Sequence, residues 1–180
     1  PQRATHLQSM VDLVKELESG RVDQLIILGG NPVYDAPADL NFAAALAKVK
    51  KASLHLADYQ NETSQKTTWH VPRSHFLEAW GDTRTWDGTV TVAQPLISPL
   101  FATLSSIELL SMIEGSNKTG QQLVMEAHAA RGFTNWRQSV HDGFVSGPGA
   151  VIADATTLVA DTSIAPPVPN QSQLGGSKRN

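Results

Sequence analysis

The residues best placed to do chemistry form two short stretches. The first is Gly29-Gly30-Asn31-Pro32, which closes the apolar run Gln24-Leu25-Ile26-Ile27-Leu28. Gly29 and Gly30 permit positive φ and let a ligand or another backbone come close. Pro32 fixes φ and cannot continue a ladder, so a strand must stop here. A strand, a tight glycine turn and a following helix make the front half of a βαβ unit, where open α/β sheets bind ligands. The dinucleotide fingerprint G-x-G-x-x-G is absent, however, and the same glycines also serve a plain turn. The second stretch is Glu62-Thr63-Ser64. Its side chains either hydrogen-bond a ligand or cap the next segment.

Other chemistries find no support in the residue pattern. Gly115-Ser116-Asn117-Lys118-Thr119 superficially matches a P-loop, but it has no glycine before the lysine and joins two helical segments. No G-x-S-x-G elbow is present, so a hydrolase triad is not indicated. Among the six histidines, His70 and His75 are out of phase on a helix, and His75 with Glu78 lacks a further ligand. With no cysteine in the chain, disulfides, zinc–thiolate sites, iron–sulfur ligation and a cysteine nucleophile are absent from it. No catalytic residue and no metal ligand is expected. The Asn-x-Ser/Thr triplets at Asn61, Asn117 and Asn170 read as chance matches.

The elements that must position the two stretches follow from periodicity. Leu7, Met10, Val11, Val14 and Leu17 fall at helical spacing, with Thr5 as N-cap and Gly20 as stop. Residues 24–28 read as a buried strand. Asp35 to Asp39 reads as a helix start, continued by Phe42, Leu46 and Val49, with Lys48, Lys50 and Lys51 complementing the dipole. Ala52 to Ala57 reads as a second strand, returning as a right-handed parallel crossover, and His55 within it reads as a structural histidine. Asp58 to Ser64 is expected as a polar loop at that strand's carboxyl end. Trp69 to Pro72 reads as a third extended piece, Ser74 to Trp80 as a helical turn, Asp82 to Gly88 as a polar loop, and Thr89 to Ala93 as a fourth strand. Ser105 with Glu108, and Thr119 with Gln122, are capping boxes that open two helices. A third short helix spans about 135–141.

This alternation is that of an α/β domain with a mainly parallel sheet over residues 1–115, followed by a helical extension over 116–145. Val151 to Ala153 and Thr157 to Val159 read as weak strands. Residues 146–180 form an irregular linker or tail, and from Ala165 onward the composition is that of disorder. The 180 residues are 41% hydrophobic, enough for a real core, and the net charge of −3 gives no electrostatic pull toward nucleic acid. No run of 18 apolar residues exists to span a membrane. The chain begins at Pro1 and is expected to be a piece of a larger polypeptide.

Several of these stretches also form an ordered series. Gly30-Asn31-Pro32, Glu62-Thr63, Val71-Pro72, Glu78, Gly81 and Gln94 to Leu100 resemble a Rossmann-like, three-layer domain of the molybdopterin oxidoreductases, the dimethyl sulfoxide reductase superfamily. Asp39 to Phe42, His75 to Asp82 and Asp87 to Val90 are similar to one branch of it, the large iron–sulfur subunit of alternative complex III, a quinol-oxidising respiratory assembly. The resemblance covers about residues 20–143. It implies a site for the guanosine-diphosphate part of molybdopterin guanine dinucleotide, lined by Gly30, Asn31, Pro32, Glu62 and Thr63, beside Gly29 of the same turn. The family has an aspartate four residues before the proline matched by Pro72, where this chain has Thr68; threonine cannot accept paired donors bidentately. That departure agrees with the branch resemblance, whose subunit has lost its molybdenum cofactor. The implied function is that of a scaffold domain in an iron–sulfur subunit. Its clusters lie elsewhere in the full protein, its partners are other domains and subunits, and its place is the periplasmic face of the bacterial inner membrane. The implied alternative is an active cofactor-binding domain of a molybdenum oxidoreductase.

Overall fold

The structure, a computed structural model, describes residues 5–145. The weak strands and the disordered tail expected after Gly143 therefore lie, from residue 146 on, outside the described residues. The described residues are mixed α/β, with one parallel and one antiparallel sheet of three strands each.

The parallel sheet is built from β1 (Gln24–Leu28), β2 (Ala52–Ala57) and β3 (Trp69–Pro72), in that spatial order. Ile27 lies opposite His55, and His55 opposite His70. One face is covered by α1 (His6–Glu18) and α3 (Phe42–Leu46). Val14 and Leu17 of α1 pack with Phe42, Ala45 and Leu46 of α3 onto Leu25 and Ile27 of β1. The start of α1 is fixed by Thr5, whose hydroxyl accepts from Gln8 N at 3.1 Å, as its sequence position predicts. On the other face Ile26 and Leu28 of β1 and Trp69 of β3 are exposed, while Leu56 of β2 is fully buried.

The second sheet joins β4 (Gly81–Arg84), β5 (Val90–Ala93) and β6 (Phe144–Val145), all antiparallel. Helices α5 (Ser106–Ile113), α6 (Gly120–Ala130) and α7 (Trp136–Asp142) complete the described fold. Both predicted capping boxes form. Glu108 also accepts from Gly120 N at 3.0 Å, tying α5 to α6. Burial pushes its carboxyl up, but bonds from Ser105 and Gly120 outweigh this and hold it below the usual carboxylate range.

Four local expectations are corrected. β1, expected as a buried strand, lies at the edge of its sheet and leaves Ile26 and Leu28 exposed. The helix expected from Asp35 onward is broken into α2 (Pro32–Asp35), a 3₁₀ turn at Ala38–Leu40, and α3. The break follows from Pro37, which donates no backbone bond, and from Asn41, whose φ of 42° is left-handed. The loop expected over 58–64 contains the start of α4 (Glu62–Lys66), because the Asn61 side chain accepts from Ser64 N and caps a helix there. The expected 82–88 loop begins as β4, which takes Asp82, Thr83 and Arg84 by antiparallel pairing with β5 in spite of their polar sequence, and only 85–88 remain a loop. The segment 74–80 forms a single turn, closed by Glu78 N donating to His75 O at 2.9 Å, and not a longer helix; Glu78 also accepts from His75 N and Leu100 N, which pins the two irregular segments together.

His128 of α6 is 1% exposed, and neither ring nitrogen has a hydrogen-bond partner. It lies against Phe133 and Trp136, with ring centroids 5.5 Å away in each case. Burial pushes its pKa down, against an opposing pull from Asp82 and with a further push from Arg131. The folded state therefore binds fewer protons than the unfolded state below the ordinary value of 6.5. Stability is full well above that value and falls as the pH drops through it, by at most ~1.4 kcal/mol between pH 7.5 and 5.5, the limit for a ring that stays neutral in the folded state. Chemical denaturation at the two pH values checks this. His128→Leu is expected to remove that share of the acid sensitivity, and an unchanged pH slope in the variant contradicts the assignment.

Candidate functional site

Three parallel strands deliver three polar positions to one edge. β1 hands over to Gly29, β2 to Asp58 and β3 to Arg73, each the first residue past its strand. This carboxyl edge is where open α/β sheets bind ligands. The residues predicted from sequence converge here, and the hydrogen bonds state how.

Asn31 is the centre. Its Oδ1 accepts from Thr63 N at 3.1 Å and from Thr63 Oγ1 at 2.8 Å. Its Nδ2 donates to Glu62 Oε2 at 2.7 Å. Thr63 Oγ1 in turn accepts from Val33 N at 3.0 Å. The glycine turn and the start of α4, about thirty residues apart in sequence, are thus closed onto each other by a polar latch. Thr63 is fully buried, so these bonds are made away from water. The bond from Asn31 holds the exposed Glu62 carboxyl below the usual carboxylate range. Pro32 occupies the first position of α2, where its missing N–H is no loss.

Gly29 and Gly30 both adopt left-handed backbone, with φ of 87° and 74°, which explains their residue type. A Cβ on Gly29 would lie 3.0 Å from Arg73 Nη1. The guanidinium is held by two bonds to Asp58, from Nε at 2.9 Å and from Nη2 at 2.7 Å. This fork lowers the pKa of Asp58 and raises that of Arg73. Both side chains are about two-fifths exposed, so the pair adds under ~1 kcal/mol of stability. The N–H groups of Gly30 and Asn31 meet no acceptor among the described residues. Between the turn, Asp58, Asn61 and Arg73 lies a recess of about 140 Å³. Pockets that enclose drug-sized ligands span ~300–1,000 Å³, so the recess takes a small group and not a whole nucleotide. A larger groove of about 660 Å³ runs past the same turn along the β1 edge, lined mainly by apolar residues of α1 and β1.

All six predicted site residues, Gly29, Gly30, Asn31, Pro32, Glu62 and Thr63, are therefore neighbours. Thr68 is not among them. It precedes β3 and pairs with Ser53 at the start of β2, accepting from Ser53 N at 3.1 Å and donating its own N–H to Ser53 Oγ at 3.0 Å. It lies at the amino end of the sheet, opposite the turn, and its residue type does not act on the latch directly. His75 and Glu78 do not converge on a metal, and among the described residues no group of three His, Asp or Glu side chains is placed to hold one.

Sequence reasoning missed Asp58, Arg73, His70 and the role of His55. His55 is fully buried, with Nε2 3.0 Å from Gly30 O and Nδ1 2.9 Å from Ser64 Oγ. Its reading as a satisfied structural histidine holds, but its position under the turn was not foreseen. The available signal was spacing: Asp58 and Arg73 each follow a predicted strand by one residue. Comparison with protein-family models gives no match for this chain, and comparison with curated proteins gives none either.

Proposed function

We propose that this chain is a Rossmann-like domain of a molybdopterin oxidoreductase-like iron–sulfur subunit, acting as a scaffold in a quinone-linked respiratory electron-transfer complex. The observation that carries this reading is the closed latch. Asn31, Glu62 and Thr63, which a cofactor-binding domain of that family would turn toward a guanine nucleotide, spend their hydrogen bonds on one another. The 140 Å³ recess beside them is small for a nucleotide. The exposed apolar face of the parallel sheet, at Ile26, Leu28 and Trp69, suits a third layer supplied by other domains of the parent subunit. In this reading the clusters and the quinol chemistry belong to other parts of the assembly, docked at the periplasmic face of the inner membrane. No helix of the described residues is long and apolar enough to cross a membrane.

A second reading has its own support. The unengaged amides of Gly30 and Asn31, beside the Arg73 guanidinium, offer donors to a phosphate group. In that reading the chain binds molybdopterin guanine dinucleotide through its diphosphate, and Asn31 and Glu62 open to receive it.

Thermal unfolding with and without GDP separates the two. The scaffold reading expects no shift at millimolar GDP. The binding reading expects stabilisation of ~2.7 kcal/mol once GDP reaches a hundred times its dissociation constant. A shift that disappears in Asn31→Ala would sink the scaffold reading.

A further inference from the structure

The geometry points to a proton-sensitive relay, His70–Ser64–His55, that carries protonation state to the Gly30 carbonyl and so to the glycine turn. This inference does not depend on either functional reading.

Five atoms of four residues form a continuous chain. Gly30 O lies 3.0 Å from His55 Nε2, His55 Nδ1 2.9 Å from Ser64 Oγ, and Ser64 Oγ 3.1 Å from His70 Nδ1. One proton order satisfies every link. A carbonyl only accepts, so His55 Nε2 carries the hydrogen and donates to Gly30 O. A neutral His55 then has a bare Nδ1, which accepts the Ser64 hydroxyl proton. The lone pairs left on Ser64 Oγ accept from His70, which must carry its hydrogen on Nδ1. That fixes the tautomer of a neutral His55 and requires a hydrogen on His70 Nδ1.

Adding a proton at His55 changes this order. Its Nδ1 becomes a donor, so the Ser64 hydroxyl must turn to another acceptor, of which Asn61 Oδ1 at 3.2 Å is nearer than Tyr59 O at 3.5 Å. Asn61 Oδ1 is already the helix cap, accepting from Ser64 N at 3.1 Å. Ser64 is thus a pivot whose hydroxyl serves His55 when that ring is neutral and the α4 cap when it is charged. The charged state is disfavoured by the surroundings. His55 is fully buried. It faces the Gly30 carbonyl from the turn, the Ser64 hydroxyl from α4 and the His70 ring from β3, with the two imidazoles 6.3 Å apart. The charged groups of α4, Glu62 and Lys66, are exposed, and the Glu62 carboxylate is taken up by Asn31. Burial lowers the His55 pKa most, the Gly30 carbonyl opposes this, and His70 lowers it further. The closed turn therefore keeps His55 neutral, and acid favours the open form in which His55 is free to take its proton.

Hydrogen exchange at Thr63 and Val33 N–H reads this opening, because both amides are held by latch bonds. After correction for the intrinsic pH dependence of exchange, the opening constant is expected to rise as pH falls below the ordinary histidine value of 6.5. The increase approaches about thirtyfold between pH 7.5 and 5, the limit for a His55 that stays neutral in the closed form. His55→Gln, whose amide can still donate to Gly30 O but does not titrate, is expected to abolish the step at these two amides. Nitrogen-15 spectra of the wild-type imidazoles give an arm that needs no variant: His55 should show hydrogen on Nε2 and His70 on Nδ1 at neutral pH. A corrected exchange rate that does not rise with acid, a full step retained in His55→Gln, or a His70 ring protonated on Nε2 alone would each overturn the relay.

Discussion

Asn31→Ala is expected to destabilise the protein by about 3 kcal/mol. The alanine removes the acceptor of two donors on Thr63, its N–H and its hydroxyl, and that residue is fully buried. Each buried donor left unpaired costs ~1–3 kcal/mol. The bond to Glu62 adds little, since the Glu62 carboxylate is exposed and water replaces Asn31. Urea denaturation measures the loss, and a loss below about 1 kcal/mol would mean that the latch does not hold the turn to α4. Asn31→Asp sharpens the experiment. It keeps an oxygen for Thr63 but replaces the donor to Glu62 by a carboxylate, which sets two like charges at hydrogen-bonding distance. Its pKa or that of Glu62 must rise in the folded state. The variant is therefore weaker than wild type near pH 7 and recovers part of its stability as the pH falls through the raised value. His55 and His128 weaken both proteins alike as the pH falls, so the carboxyl's protonation is read as a narrowing of the difference between the two.

The latch also shows how far the sequence was legible. Gly29 to Pro32 were legible as a turn, because the signals that end a strand are local, but Glu62 and Thr63 joined them only through the family resemblance, and the start of α4 at Glu62 was expected as a loop. What they do with one another was not legible. A side-chain amide facing solvent and one facing Thr63 across thirty residues have the same local sequence, and only the βαβ crossover brings them together. The same limit hid the relay. His55 reads as a core histidine from its strand, and His70 from its own, but their contact depends on a parallel register that neither strand specifies alone. Capping boxes at Ser105 and Thr119 were read correctly since the whole device lies within four residues. β4 was missed for the opposite reason: Gly-Asp-Thr-Arg has no strand pattern, and its pairing is supplied by β5. The resemblance series pointed to Thr68 as a residue bearing on the cofactor, and the structure places it at the far end of the sheet, joined to Ser53. Spacing along one chain counts residues to Pro72 but not the direction of the strand between them.

Leu17→Ala is expected to cost about 3 kcal/mol, and its comparison with Ile26→Ala tests which face of the parallel sheet is core. Leu17 is fully buried where α1 meets α3 and the β1 side chains Leu25 and Ile27. Truncation there loses the transfer energy of the side chain and leaves a cavity, which for leucine totals ~2.7–5 kcal/mol. Ile26 alternates to the other face and is 41% exposed, so its truncation should cost under ~1 kcal/mol in the isolated chain. Equilibrium unfolding of the two variants checks the ordering. Similar losses at the two sites would show that the second face is covered as well. If instead Leu17→Ala alone is costly, the face carrying Ile26 and Leu28 is open in the isolated chain, as the proposed scaffold reading expects.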